Sequence, residues 1–169
     1  MRDILKKYFQ NYEHKNSLFL YGEMNTGKTT FFNLLMKALL EQGKMFLRLY
    51  MPNFIIQFHK NWYDETVDKK MDILTKVPIL LIDDFGFGTM SEHFRNDILL
   101  SIIEYRSQNN LPIIINTSLL KEELIDYLKI KNDKQNMKVA TKIINKLNIN
   151  CQYYTLTLNS NNQLKNLYQ

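Results

Sequence analysis

One segment constrains this chain more than any other: Gly22-Glu23-Met24-Asn25-Thr26-Gly27-Lys28-Thr29, a glycine, four residues and then Gly-Lys-Thr. Ser17 to Tyr21 before it reads as a short apolar strand. Thr29 to Glu41 after it carries Phe32, Leu35, Met36, Leu39 and Leu40 at helical spacing until Gly43 closes the run. A strand, a glycine-bounded loop and a helix in that order form a phosphate cradle. The glycines let the backbone wrap an anion without a Cβ in the way, and successive N–H groups and the helix N-terminus point at it. Lys28 would reach the β- and γ-phosphates of ATP, and Thr29 would offer its hydroxyl to magnesium (Mg2+). The nucleotide-contacting set therefore runs from Gly22 to Thr30, although packing within the helix is enough to account for Thr30. The competing reading, a chance glycine-rich turn, does not explain the flanking strand and helix.

The rest of the chain alternates. A second strand at Met45 to Tyr50 is stopped by Pro52, and helical material follows from Asn53 to Lys76. Ile79 to Ile82 is a fully apolar strand of the buried parallel type. A helix from about Glu92 to Ser107, a strand at Pro112 to Asn116 and helices at Lys121 to Leu128 and Met137 to Asn148 come next. Gln152 to Leu158 is the last strand. Strands alternating with helices predict an α/β three-layer sandwich around a parallel five-stranded sheet, with ligands at the carboxyl ends of the strands. One domain over residues 1–158, a polar tail over 159–169 and no C-terminal lid domain are the expected organisation.

Two further strand ends carry polar groups where the phosphates would lie. Ile79-Leu-Leu-Ile82 runs into Asp83 and Asp84. Asp83 would hold magnesium through its water shell, and Asp84 would orient or deprotonate the attacking water. The alternative is that the pair caps the next helix. Ile113-Ile-Ile runs into Asn116, Thr117 and Ser118. A polar group there would either bond the attacking water and sense the γ-phosphate or cap the helix near Lys121, and both readings stay open.

Composition excludes several classes. No apolar run approaches the roughly 20 residues of a membrane span, and MRDILKKYFQ lacks the apolar core of a secretory signal, so a cytoplasmic location and no membrane partner are expected. Cys151 is the one cysteine, which rules out an internal disulfide or a cysteine-based zinc site. The net charge of +5 suits a polyanion but is also common in proteins without one.

With these residues in place, the chain resembles the AAA+ ATPase domain of bacterial helicase loaders, the DnaI and DnaC group, with the IstB-like transposition ATPases close by. The resemblance runs over nearly the whole length. It rests on the phosphate loop, Leu49-Tyr-Met-Pro-Asn-Phe54, Lys76-Val-Pro-Ile-Leu-Leu-Ile-Asp-Asp-Phe-Gly86, Phe94-Arg-Asn-Asp97, Glu104-Tyr-Arg106 and Asn116-Thr-Ser118 before Leu124. It implies an ATP-controlled protein acting in DNA replication, which binds single-stranded DNA and a replicative helicase or helicase loader and assembles with its own copies when ATP is bound.

Three departures accompany it. Loaders carry a helicase-binding region before the ATPase domain, whereas sixteen residues precede Ser17 here, so a bare ATPase domain or a shortened relative from a phage or mobile element is expected. Ser118 stands where the sensor pattern ends in Asn. Lys142 and Lys146 stand where a late helix carries two arginines, one a candidate finger for a neighbouring subunit's ATP. Lysine keeps the charge and loses the planar fork. These departures leave room for an ATP-binding adaptor with negligible turnover, and for an IstB-like transposition helper.

Several other features have ordinary readings. His14, His59 and His93 lack metal-binding spacing and read as surface or capping residues. Trp62 and Tyr63, near Lys60, Lys69 and Lys70, are either core aromatics or a stacking surface for single-stranded DNA. Lys138, Lys142 and Lys146 recur every four residues and stack on one helix face opposite Val139, Ile143, Ile144 and Leu147. Like charges at that spacing repel, so the ladder needs solvent or an anion.

Overall fold

Two apolar surfaces on one parallel sheet organise the molecule. The computed structural model describes residues 17–60, 66–148 and 151–156. The strands are β1 (Ser17–Gly22), β2 (Phe46–Tyr50), β3 (Ile79–Asp83), β4 (Ile113–Thr117) and β5 (Cys151–Leu156). They lie in the order β2-β3-β4-β1-β5, and every pairing is parallel. The helices are α1 (Lys28–Glu41), α2 (Met51–Lys60), α3 (Thr66–Lys76), α4 (Leu100–Gln108), α5 (Lys121–Lys129) and α6 (Lys134–Asn148). This is the expected α/β architecture with five strands. β4 sits between the strand before the phosphate loop and the strand ending in the two carboxylates.

Alternation along the strands divides the core. Leu18, Leu20, Ile79, Leu81 and Ile114 face α1 and meet Phe31, Phe32, Leu35 and Leu39. Phe19, Leu80, Ile82, Ile113 and Ile115 face the other way and meet side chains from α2, α3, α4, α5 and α6. Residues two apart in a strand share a face, so a continuous apolar run serves both layers at once.

Several boundaries differ from the sequence reading. α2 begins at Met51, directly after β2, with Pro52 inside its first turn, where a missing N–H costs nothing. Pro52 thus opens a helix as well as ending a strand. The helix expected from about Glu92 does begin there, but it widens into a π-helical stretch, Phe94–Leu99, before running into α4. Arg95 in that stretch is buried and donates to the carbonyls of Leu128 and Lys129 at 2.7 and 3.2 Å. α6 starts at Lys134, earlier than Met137, because Asp133 caps it by accepting from the Asn136 N–H at 2.8 Å. Trp62, Tyr63, His14, the residues beyond Leu156 and the polar tail lie outside the described residues.

Candidate functional site at the carboxyl edge of the sheet

Gly22 ends β1, and a side chain there would not fit: a Cβ would lie 2.5 Å from Thr26 Oγ1 and 2.9 Å from the Leu156 carbonyl. The loop turns tightly. Thr26 Oγ1 donates to the Glu23 carbonyl at 2.8 Å, Asn25 takes a left-handed backbone at φ 65°, and Gly27 does the same at φ 92° as it opens α1. No side chain caps α1, and no acidic residue occupies its first turn. Its first N–H groups and the positive end of its dipole are therefore turned to the loop.

Lys28 is buried at 7% exposure and folds back over the loop, donating to the carbonyls of Gly22 at 2.6 Å and Glu23 at 2.8 Å. Burial lowers its pKa, and the carboxylates of Asp84 and Asp83 oppose that shift. The ammonium thus sits where a phosphate oxygen would replace neutral carbonyls with a charged partner.

Asp83 and Asp84 are adjacent in sequence but differ in setting. Asp83 continues the buried face of β3 and is 2% exposed. Its Oδ1 accepts from the Asn116 amide at 2.5 Å, and its Oδ2 accepts from Arg48 Nε at 3.0 Å and also from Arg48 Nη2. Asp84 leaves the strand in a left-handed conformation at φ 54°, which Asp tolerates better than most residues. Its N–H donates to Asn116 Oδ1 at 2.7 Å. Burial raises the Asp84 pKa, the Asp83 charge raises it further, and Lys28 and Arg48 pull it down. A carboxyl with a raised pKa is a better proton acceptor than an ordinary carboxylate.

Neither carboxylate caps the following helical stretch, whose Phe94 N–H is met by Ser91 Oγ at 3.2 Å. Nor do the polar residues ending β4 cap α5. There the Leu120 N–H donates to Glu123 Oε2 at 2.6 Å, and Thr117 Oγ1 accepts from the Leu119 N–H at 3.0 Å. Asn116 is fully buried and joins β3 to β4 through its amide. Ser118 turns to the cavity.

That cavity, about 710 Å³, is lined by Met24, Asn25, Gly27, Lys28, Thr29, Thr30, Tyr50, Pro52, Asp84, Phe87 and Ser118. It brings the phosphate loop, the second carboxylate and the sensor position to one place. Glu23 and Thr26 shape the loop from behind, and Thr30 is exposed at the cavity wall, a place that packing within α1 does not require. The donor set suits magnesium. No cluster of three or more His, Cys, Asp or Glu residues exists among the described residues, so a protein cage of the calcium or zinc kind is absent there. Thr29 lines the cavity whereas Asp83 lies buried behind its wall; a hydroxyl and a carboxylate from these two would be the sparse protein contribution that a cation carried in on phosphates requires.

No family model matches the chain. The replicative helicase loader DnaI of Bacillus subtilis (strain 168) is 25% identical over 140 residues, covering 82% of this chain and 45% of that protein. The insertion sequence IS1162 putative ATP-binding protein of Pseudomonas fluorescens is 30% identical over 100 residues, 59% of this chain and 43% of that protein. A crystal structure of DnaI superposes with a TM-score of 0.80 at 23% identity, covering 92% of this chain and 81% of the other. The chain is thus similar in sequence and in fold to the helicase loader DnaI. It spans less than half the length of the curated relatives it matches. AMPPCP-bound DnaA from Aquifex aeolicus and the DnaC helicase loader share its fold.

The loader-like late helix is α6, and its lysines do not join the cavity. Lys138, Lys142 and Lys146 border a second, shallower cavity of about 430 Å³ with Met137, Thr141 and Asn145. Lys142 pairs with Glu104 of α4. The opposite face buries Ile143, Ile144 and Leu147, as the spacing predicts, together with Ala140, while Val139 is only half-buried.

The DnaI-like Tyr105-Arg106 pair turns out to be structural at its arginine. Arg106 is completely buried and donates to the carbonyls of Leu74, Thr75, Val77, Pro78 and Pro112. Burial lowers its pKa to about 10. His93 pairs with Asp97 at 2.5 Å on the surface, and burial raises the Cys151 thiol to about 12, which keeps it unreactive. No helix among the described residues is long and apolar enough to cross a membrane.

Sequence reasoning missed Arg48 and the double role of Asn116. The one available signal for Arg48 was a cation on a strand whose register neighbours lead to Asp83.

Proposed function

We propose that this chain is an ATP-binding and ATP-hydrolysing helicase-loader-like protein of DNA replication. The observation that carries the reading is the convergence of Lys28, Thr29, Asp84 and Ser118 on one cavity at the carboxyl edge of the sheet. Similarity to helicase loaders supports the biological setting.

The loop N–H groups and Lys28 bind and orient the triphosphate, with Thr29 and Asp83 holding magnesium. Bound magnesium supplies charge neutralisation on the phosphates. Asp84 takes the proton of the attacking water, and Ser118 orients that water by a hydrogen bond. Lys142 and Lys146 would face the nucleotide of a neighbouring copy.

One observation favours a second reading. Lys142 is already engaged by Glu104, which suits an ATP-binding adaptor with negligible turnover that regulates a partner loader. The IS1162 similarity keeps a transposition helper in view; a neighbouring transposase gene would point there, and a helicase or primase gene to replication.

The test is a pull-down with replicative helicase, full-length loader and single-stranded DNA, each with and without Mg-ATP, alongside turnover measurements. ATP-dependent capture of helicase and DNA with measurable turnover supports the loader. Capture of a loader without turnover supports the adaptor, and failure to bind ATP removes both.

A further inference from the structure

Arg48 lies on edge strand β2, where its register partner is Leu81, two residues before Asp83 on the same face of β3. Its guanidinium places Nε and Nη2 on one carboxylate oxygen, Oδ2 of Asp83. The other oxygen is held by Asn116. The Asp83 side chain is 3% exposed and that of Arg48 is 36% exposed, so the carboxylate is sealed in while the cation reaches solvent on its far side. Both oxygens of the carboxylate assigned to the metal are thus already in hydrogen bonds. A buried carboxylate without a partner would be costly, which explains why the fold supplies one.

We propose that Arg48 is an exchangeable counter-ion for Asp83, holding it when no metal is bound and yielding Oδ2 when magnesium enters with ATP. The inference rests on the functional reading above and concerns its regulation. Arg48 Nε and Nη2 take both lone pairs of Oδ2, so a magnesium hydrate can use that oxygen only as Arg48 withdraws, and the two cations repel. Some of the affinity for Mg-ATP is therefore spent on releasing Arg48, and the bound state becomes a competition between two cations for one carboxylate. The released guanidinium swings toward solvent at the β2 edge. Next to it on β2, Tyr50 and then Pro52 of α2 line the cavity, so the exchange is felt by the segment joining β2 to α2. Arg48 acts through Asp83 and is a positioning residue.

The experiment measures binding of a fluorescent ATP analogue with magnesium chelated and with magnesium saturating, for wild type, Arg48→Met, Asp83→Asn and the double variant. The quantity read is the ratio of the two affinities. In Arg48→Met, Asp83 is unmasked, so metal-free nucleotide is repelled while the magnesium complex is favoured. The ratio should rise roughly fivefold, the order of effect of one partly exposed ion pair. In an Asp83→Asn background the same substitution should leave the ratio unchanged, because the carboxylate it acts on has gone.

A purely structural Arg48 would weaken both affinities together and leave the ratio fixed, which would overturn the proposal. So would an equal effect in both backgrounds, which would place Arg48 directly on the phosphates. Should Arg48→Met fail to fold, Arg48→Lys keeps the charge but loses the fork, and the same shift in smaller measure is expected; an unchanged ratio in that folded variant also overturns it. Wild type that binds no nucleotide under either condition overturns the functional reading itself, an outcome distinct from all of these.

Discussion

The two ends of one sheet hold their buried charges in opposite ways. At the amino end, Arg106 donates through its two terminal nitrogens to five backbone carbonyls from the end of α3, the approach to β3 and the approach to β4, while its buried Nε has no partner. At the carboxyl end, Lys28 rests on two loop carbonyls, and Asp83 rests on Arg48 and Asn116. The first arrangement uses a rigid fork to tie three chain segments together and leaves no room for exchange. The second uses partners that, on the proposed function, a triphosphate and a metal would replace. Buried charge alone therefore does not mark a functional site; the replaceability of its partners does.

The largest effect tests the amino end. Arg106→Met should remove a donor from five carbonyls, of which Pro112 keeps the Leu80 N–H, and destabilise the fold by about 3–5 kcal/mol, measured by chemical denaturation. Arg106→Lys should recover only part of this, since one ammonium cannot serve a planar array. If Arg106→Lys were as stable as wild type, the fork would not be what matters.

At the carboxyl end, Asp84→Asn should preserve ATP binding and slow hydrolysis roughly 10²- to 10⁴-fold, read as single-turnover phosphate release. The backbone at φ 54° tolerates Asn. Because burial and Asp83 raise the Asp84 pKa above 3.8, the wild-type rate should fall on the acid side at a pH above that ordinary value. The sign for stability is the reverse of a paired carboxylate. The ionised form is the costly one in the fold, so neutralisation by falling pH or by Asn should raise the melting temperature without nucleotide. A fall in melting temperature for Asp84→Asn would show that the carboxylate is structural.

A smaller effect is expected at Lys28. Lys28→Ala should remove the stabilisation by Mg-ATP, about 2.7 kcal/mol at a hundred times the dissociation constant, with little change without nucleotide. Equal thermal shifts for wild type and variant would remove Lys28 from the phosphates.

The smallest effect concerns α6. Changing Lys138, Lys142 and Lys146 together to Gln should flatten the salt dependence of single-stranded DNA binding by about 0.7 per lost phosphate contact. A lost dependence of ATPase rate on protein concentration would instead place them between subunits. If neither quantity moves, the ladder is a solvated surface with one internal pair.

The strands and the phosphate loop were legible because apolar runs, glycine spacing and a following helical period are local signals. The same holds for the apolar face of α6. What escaped were relations between segments distant in sequence. Arg48 on a half-buried edge strand has no local feature that assigns it to Asp83. Asn116 was read as a sensor or cap, while its place beside β3 makes it a clamp on both aspartates. Arg95 and Arg106 sit in a helical run whose charge pattern suggests exposure, yet tertiary packing buries both and supplies carbonyl acceptors. Helix starts slipped by a few residues where Pro52 and Asp133 act, since a cap is recognised only once the chain's direction is known.

The unequal clothing of the sheet has a consequence for motion. Among the described residues, α1 alone covers the face formed by Leu18, Leu20, Leu81 and Ile114, whereas five helices share the other. That face cannot open in parts: lifting α1 exposes the whole of it in one step. Because α1 begins at Lys28, a triphosphate seated on the loop pins the end at which such lifting would start. Amide protons along α1 should then exchange more slowly with solvent when nucleotide is present, while those on the helices of the opposite face keep their pace, and occupancy at one rim would be written along an entire flank of the molecule.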